Sequence, residues 1–321
     1  MDTGSHLLFG ASLAGLAMLQ PEVANSPLLA GAVLTATLVG SHAPDFDTVV
    51  RLKSYASYIR HHRGVTHSLP ALLLWPLAIG GAAAGLFGVW EHVLTLSLWT
   101  MAAVIFHVFL DWLNVYGVQC FRPFSKQWHH LDILPLFDPF LFAVHSIGVI
   151  AWMTGAAEPG RLFLAVYLLT FAYIGVRAWH HAHTVRLVKK ELEIEQGVCH
   201  IVPSLWWFHW QFVLETADTF YNGTIRFRDI RVKDVYTKDQ THPAIQATMG
   251  TDGVRAFLHF AQRVHVRLTE GQDGYVVHWR DLRFWHNHKL PFGVDVQLDS
   301  DLNVVSDRLG WTKKAWDPPY V

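Results

Sequence analysis

Two cysteines in 321 residues, Cys120 and Cys199, are too few and too widely separated for a disulfide framework or a thiolate zinc site. Charge is scarce too: Asp, Glu, Lys and Arg supply 16% of the chain, little for a soluble domain of this length. Neither sign dominates, with 25 Lys+Arg against 26 Asp+Glu and a net charge of -1. Without a basic field to attract phosphate backbones, no direct nucleic-acid binding is expected. The first apolar run lacks a cationic stretch before it and a small-residue cleavage site after it, so a removable secretory signal is not expected either.

What is present in abundance is apolar. The composition is 51% hydrophobic, with a mean hydropathy of +0.22, which points to a membrane protein. Six apolar runs, roughly 6–20, 27–41, 69–90, 93–113, 139–155 and 161–179, are candidate spans. Crossing a hydrocarbon core of about 30 Å takes roughly 20 helical residues. The first two runs are short and could instead form a re-entrant or interfacial hairpin, so the reading is a polytopic α-helical bundle of four to six transmembrane helices over 1–183.

The connections alternate in charge. Residues 42–68 carry Arg51, Lys53, Arg60 and Arg63, residues 114–138 carry Arg122 and Lys126, and the segment after 179 opens with Arg186, Lys189 and Lys190. The intervening "PEVANS", "EH" and "GAAEPG" have none. The positive-inside rule then places both termini and the charged connections on the cytoplasmic side of the membrane.

Histidine is the anomaly, with 21 in the chain. His6 opens the first run, His42, Asp45 and Asp47 follow the second, His61, His62 and His67 precede the third, and His107 and Asp111 end the fourth. Each taken singly has an ordinary role, as a turn, capping or solvated loop residue. Together they fall at one end of the bundle, where so many ionisable groups mark a site. "HVFLD", 107–111, sets an imidazole and a carboxylate four residues apart on one helix face. "HAPDFD", 42–47, points Asp45 and Asp47 the same way if extended. Imidazole and carboxylate without thiolate suit zinc, manganese or iron, and the surplus of ligands suits one or two ions. His6, His42, Asp45, His67, His107 and Asp111 are the candidate ligands, with Asp47 placed to orient or deprotonate water and His62 and Arg63 beside it.

"GSH" at 4–6, "HAPDFD" at 42–47, "HRGVTHS" at 62–68 and "FHVFLDWLNVYGV" at 106–118 resemble, in that order, the signature of the YdjM-like family. That family is described as inner-membrane-associated, LexA-binding, metal-dependent hydrolases. The resemblance implies a polar core of His6, Asp45, Asp47, His62, His67, His107 and Asp111, surrounded by Arg63, Thr66, Ser68 and Asn114, with acidic residues also at Asp132 and Asp138. It departs at Thr48, where many relatives carry histidine after PDxD. The order of ligands is also similar, by analogy of helices and spacing, to that of zinc-dependent phospholipase C, which implies phosphoester hydrolysis. Arg63 and Arg122 would then meet an anionic headgroup.

From 184 onward the pattern changes to alternating strands with turn signals, including "DG" at 273–274, so 184–321 is expected to be a mostly antiparallel β domain in the cytoplasm. "WHNH", 285–288, is read as packing or surface, and "PSLWWFHW", 203–210, as a segment that could lie against the membrane through its tryptophans.

The resulting expectation is a metal-dependent hydrolase at the cytoplasmic leaflet, acting on a lipid or prenyl phosphoester, with a divalent metal, zinc first, and membrane lipid as partner. Two other classes stay open: a membrane-tethered regulator whose β domain binds a protein partner and whose metal is structural or sensory, and a transport path. The outer portions of the runs carry almost no ionisable groups, which argues against the path.

Overall fold

The computed structural model describes residues 1–194, 196–238 and 241–312. Contacts divide the chain into two units, 1–48 with 62–179, and 49–61 with 180–321. The division at 179/180 falls four residues before the expected 183/184, and the inserted segment 49–61 had no counterpart in the sequence.

The first unit is helical. Helix α1 (Thr3–Ala17) starts at Asp2, whose Oδ1 accepts the Ser5 N–H at 3.0 Å. After the single turn α2 (Pro21–Ala24) comes α3 (Pro27–Gly40), with Ser26 capping its first turn and proline preset at N1. Helix α4 (Tyr55–His61) belongs to the second unit, and α5 (Ala71–Phe87) ends where Gly88 adopts φ +66°. Then follow α6 (Val93–Trp112), α7 (Pro139–Met153), capped by Asp138, and the 33-residue α8 (Pro159–Glu191).

Small residues bring the helices together. A Cβ on Gly10 would lie 2.4 Å from Ser41 Oγ and 2.8 Å from the Thr37 carbonyl, and one on Gly80 would lie 2.8 Å from Ser97 Cα. Such close backbone approach is the usual helix contact where lipid removes the hydrophobic drive for association. Phe9, Leu13, Phe106, Leu110 and Tyr167 fill one core, and Ala14, Val33, Ala36 and Leu96 another. Leu73, Leu74, Leu77, Leu94 and Leu168 turn outward instead, as lipid-facing residues do.

Two helices, Trp90–Trp112 and Pro159–Glu191, are long and apolar enough to cross a membrane, or three if Tyr55–His67 and Ala71–Phe87, bent by 75°, count as one span. The four to six spans expected are not reached on this measure. Helices α1, α3 and α7 have 14 or 15 residues, about 22 Å, less than a hydrocarbon core.

The second unit has two four-stranded antiparallel meanders. The first is β1 (Val198–Pro203), β2 (His209–Glu215), β3 (Thr219–Arg226) and β4 (Asp229–Thr237); the second is β5 (Val264–Gly271), β6 (Gly274–Asp281), β7 (Phe292–Leu298) and β8 (Val304–Trp311). Gly271 pairs with Gly274 across the hairpin signalled by "DG". Between the sheets in sequence lie α9 (Pro243–Thr248) and α10 (Asp252–Phe260), the latter burying Val254, Ala256, Phe257 and Phe260. "WHNH" is bound up in packing: Trp285 Nε1 donates to Asp234 Oδ2 at 2.5 Å and His288 Nδ1 meets Asp234 Oδ1 at 2.8 Å. Trp206, Trp207 and Phe208 are exposed, with Phe208 stacked on the exposed Phe227 of the β3–β4 turn at 4.9 Å.

Candidate metal centre

The site forms where four helices of the first unit begin or end. Helix α1 delivers His6 from its first turn, α3 stops at Gly40 ahead of "SHAPDFD", α5 is preceded by "HRGVTHS", and α6 carries His107 and Asp111 near its last turn.

Two of these side chains face one another. His67 Nε2 and His107 Nε2 are 3.3 Å apart. His107 Nδ1 donates to the Ser41 carbonyl at 2.7 Å. His67 Nδ1 lies 3.0 Å from Thr66 Oγ1, and that hydroxyl donates onward to Asp47 Oδ2 at 2.6 Å, so the threonine oxygen is left to accept from the imidazole. Both Nδ1 atoms thus carry the proton in this network, and both Nε2 lone pairs point into the same space.

Two carboxylate oxygens complete the group. Asp45 Oδ1 is 3.5 Å from both Nε2 atoms, and Asp111 Oδ2 is 3.4 Å from His67 and 3.5 Å from His107. Both oxygens are buried and lack a hydrogen-bond partner. Histidine nitrogen and carboxylate oxygen reach zinc at about 2.0–2.1 Å, and a tetrahedron of that radius has edges of roughly 3.3–3.4 Å. Two imidazole nitrogens and two carboxylate oxygens at this spacing fit a divalent cation. Buried like this and unmatched, each would instead carry a large desolvation penalty.

The surroundings hold the donors in place. Asp111 divides its oxygens: Oδ1 accepts Arg63 Nη2 at 3.0 Å, Asn114 Nδ2 at 3.3 Å and the Met1 amino group, leaving Oδ2 to the cluster. Arg63, in the left-handed region at φ 61°, also donates to Asn114 Oδ1 at 3.0 Å and lies over the Tyr116 ring. Asp47 anchors the loop, accepting His62 Nδ1 at 2.7 Å, the Arg63 N–H at 3.1 Å and the Thr66 hydroxyl.

Asp45, Asp47 and His62 form a second, less buried group of donors that shares Asp45 with the first. His6 stacks flat on His107, centroids 3.7 Å apart, with Nε2 3.5 Å from Asp111 Oδ1 rather than among the four facing donors. His42 stands edge-on to Phe46 and belongs to neither group. Ser68 donates to the Val65 carbonyl within its own turn. Asp132 takes His130 Nδ1 at 2.7 Å, while Asp138 caps α7 and accepts the Tyr173 hydroxyl. His145 is absorbed in a separate buried network with Ser12 and Thr170. Ser41 escaped the sequence reading, since a backbone carbonyl supporting a ligand leaves no side-chain signature.

A helical membrane protein with a buried histidine–aspartate donor cluster, followed by antiparallel sheets, is the class these features define. The chain belongs to the YdjM inner membrane protein family, whose model matches residues 1–184. Residues 243–316 match the YfhP C-terminal alpha/beta plait domain. The chain is 38% identical over 317 residues to the uncharacterized protein YfhP of Bacillus subtilis (strain 168), covering 97% of this chain and 95% of that protein. No solved structure matches.

Proposed function

We propose that this chain is a metal-dependent hydrolase that cleaves a phosphoester, of a lipid or prenyl phosphate, at the cytoplasmic leaflet. The observation that carries the metal is the buried group in which the His67 and His107 Nε2 atoms, 3.3 Å apart, each lie 3.4–3.5 Å from oxygens of Asp45 and Asp111. A bound divalent ion, zinc first and manganese or iron as alternatives, would supply Lewis acidity and acidify water.

The chain's own residues define the rest. Asp45, His67, His107 and Asp111 hold the ion. Arg63 fixes Asp111 and neutralises its outer oxygen, which assigns it to positioning rather than to direct contact with substrate. Asp47 orients His62 through Nδ1, an arrangement that makes the partly exposed His62 the group to take or return a proton. Asp47, already accepting three hydrogen bonds, acts through His62. Lipid as substrate is supported by the family's membrane setting, by the outward leucines, and by the exposed aromatics at Trp206, Trp207, Phe208 and Phe227 beside Arg226 and Arg228.

The test is metal analysis of detergent-purified protein, followed by hydrolysis assays on prenyl phosphates and phospholipids. Wild-type protein should retain at least one ion per chain and release phosphate or a headgroup. Asp111→Asn should lose both, and His62→Gln should keep the ion and lose turnover.

A second reading has one observation in its favour: the four-donor group is almost completely enclosed, as structural sites are, whereas catalytic sites keep an open position. In that reading the ion is structural or sensory, and the β unit serves a protein partner. Retained metal with no turnover on any phosphoester would select it.

A further inference from the structure

The second unit contains a cavity of about 400 Å³ whose walls are basic and aromatic. Two parts of the chain far apart in sequence form it: Arg51 and Tyr55 from the 49–61 segment, and Arg280, Asp295, Arg308 and Trp311 from β6, β7 and β8. Its volume is within the range of small-ligand pockets.

The charges are unequal. Arg280 is consumed internally, its Nη2 on Asp295 Oδ1 at 2.5 Å and its Nη1 on the Trp279 and Val294 carbonyls. Asp295 also takes His278 Nδ1 at 2.6 Å, so this carboxylate is matched. Arg51 and Arg308 have no carboxylate partner among the described residues. The Arg51 guanidinium rests over the rings of Tyr55 and Tyr58 at 5.8 Å, which leaves its N–H fork available. Two unmatched guanidiniums on one concavity are suited to bidentate contact with phosphate. Tyr55 and Trp311 add ring faces, and Gly310, at φ +146° with no side chain, leaves room beside Tyr55.

We propose that this cavity binds a phosphate monoester carrying a flat ring, held by Arg51 and Arg308 with its ring against Tyr55 and Trp311. On the reading of the metal centre given above, binding there also acts on that centre. Segment 49–61 runs between Asp47 and His62, whose side chains bond at 2.7 Å. Its helix α4 is tied down where Arg60 Nη2 donates to the Asp252 carbonyl at 2.8 Å and to Asp252 Oδ1 at 2.5 Å. A ligand gripping Arg51 and Tyr55 fixes the stretch on which Asp47 and His62 are strung.

AMP is the probe, titrated calorimetrically into the full chain in detergent beside inorganic phosphate and short-chain phosphatidylglycerol. AMP should bind at least tenfold tighter than either, Arg308→Ala should weaken it tenfold or more, and Arg308→Lys should restore it partly. Hydrogen exchange across 49–61 should slow with AMP, a readout independent of metal. Metal-loaded protein should show a matching change in ion release, and failure of that arm alone overturns only the coupling. Equal binding of AMP and phosphate, phosphatidylglycerol in place of AMP, or indifference to Arg308→Ala would overturn the assignment.

Discussion

His67 Nε2 and His107 Nε2 lie 3.3 Å apart, each turned toward the other by a hydrogen bond on the far side of its ring. Remove either imidazole and three donors remain. His67→Ala and His107→Ala are each expected to bind under a tenth of the wild-type metal, measured as ions per chain by elemental analysis. Metal retained in both would mean that the ion sits elsewhere.

Thr66 works behind the ligand. Its hydroxyl joins His67 Nδ1 to Asp47 Oδ2, and supports of this type change metal affinity by about 10- to 100-fold. Thr66→Val should therefore weaken zinc within that range in a competitive chelator titration, and Thr66→Ser should restore most of it.

Helix α1 approaches Ser41 so closely that Gly10 has no room for a methyl group. The Ser41 carbonyl is also the acceptor for His107. Gly10→Ala should cost about 1–3 kcal/mol through overpacking and lower metal affinity as well, although residue 10 touches no ligand. A lowered melting temperature with unchanged metal content would separate the two effects and deny the link.

In the second unit, burial raises the Asp234 carboxyl pKa, but bonds from His288 and Trp285 outweigh it and hold the group below its ordinary 3.8. A depressed folded value means that its stabilisation is present above the ordinary value and fades as pH falls through the folded one. Wild type should melt above Asp234→Asn at pH 5 to 6, with the gap closing below about pH 4. A gap that does not narrow as the pH is lowered would show that the loss is one of packing.

Much of the site was legible because ionisable residues stand out against an apolar background. Asp45, His67, His107 and Asp111 all sit at the ends of apolar runs, and alternate run ends fall on one side of a bundle. The exclusion of His42 was not legible, because its neighbour His107 is reached by the Ser41 carbonyl rather than by the next side chain. Nor was the attachment of 49–61 to the second unit, since Arg60 and Asp252 are 192 residues apart and neither carries a local sign of the other. Helix α10 could have been found: Val254, Phe257 and Phe260 recur at helical spacing inside a region read as strands. The apolar runs extend past the helix ends, so they number more than the two or three helices that are long enough to cross a membrane.

The anchoring of "HRGVTHS" to Asp47 fixes how the loop becomes ordered. Its histidine, backbone amide and threonine are gathered on one carboxylate. The entropy of arranging residues 62–67 is offset by bonds that the chain makes to itself, and the loop owes its order to Asp47. Substitution at residue 47 would therefore release three separate parts of one turn at once: a ring, a main-chain amide and a hydroxyl.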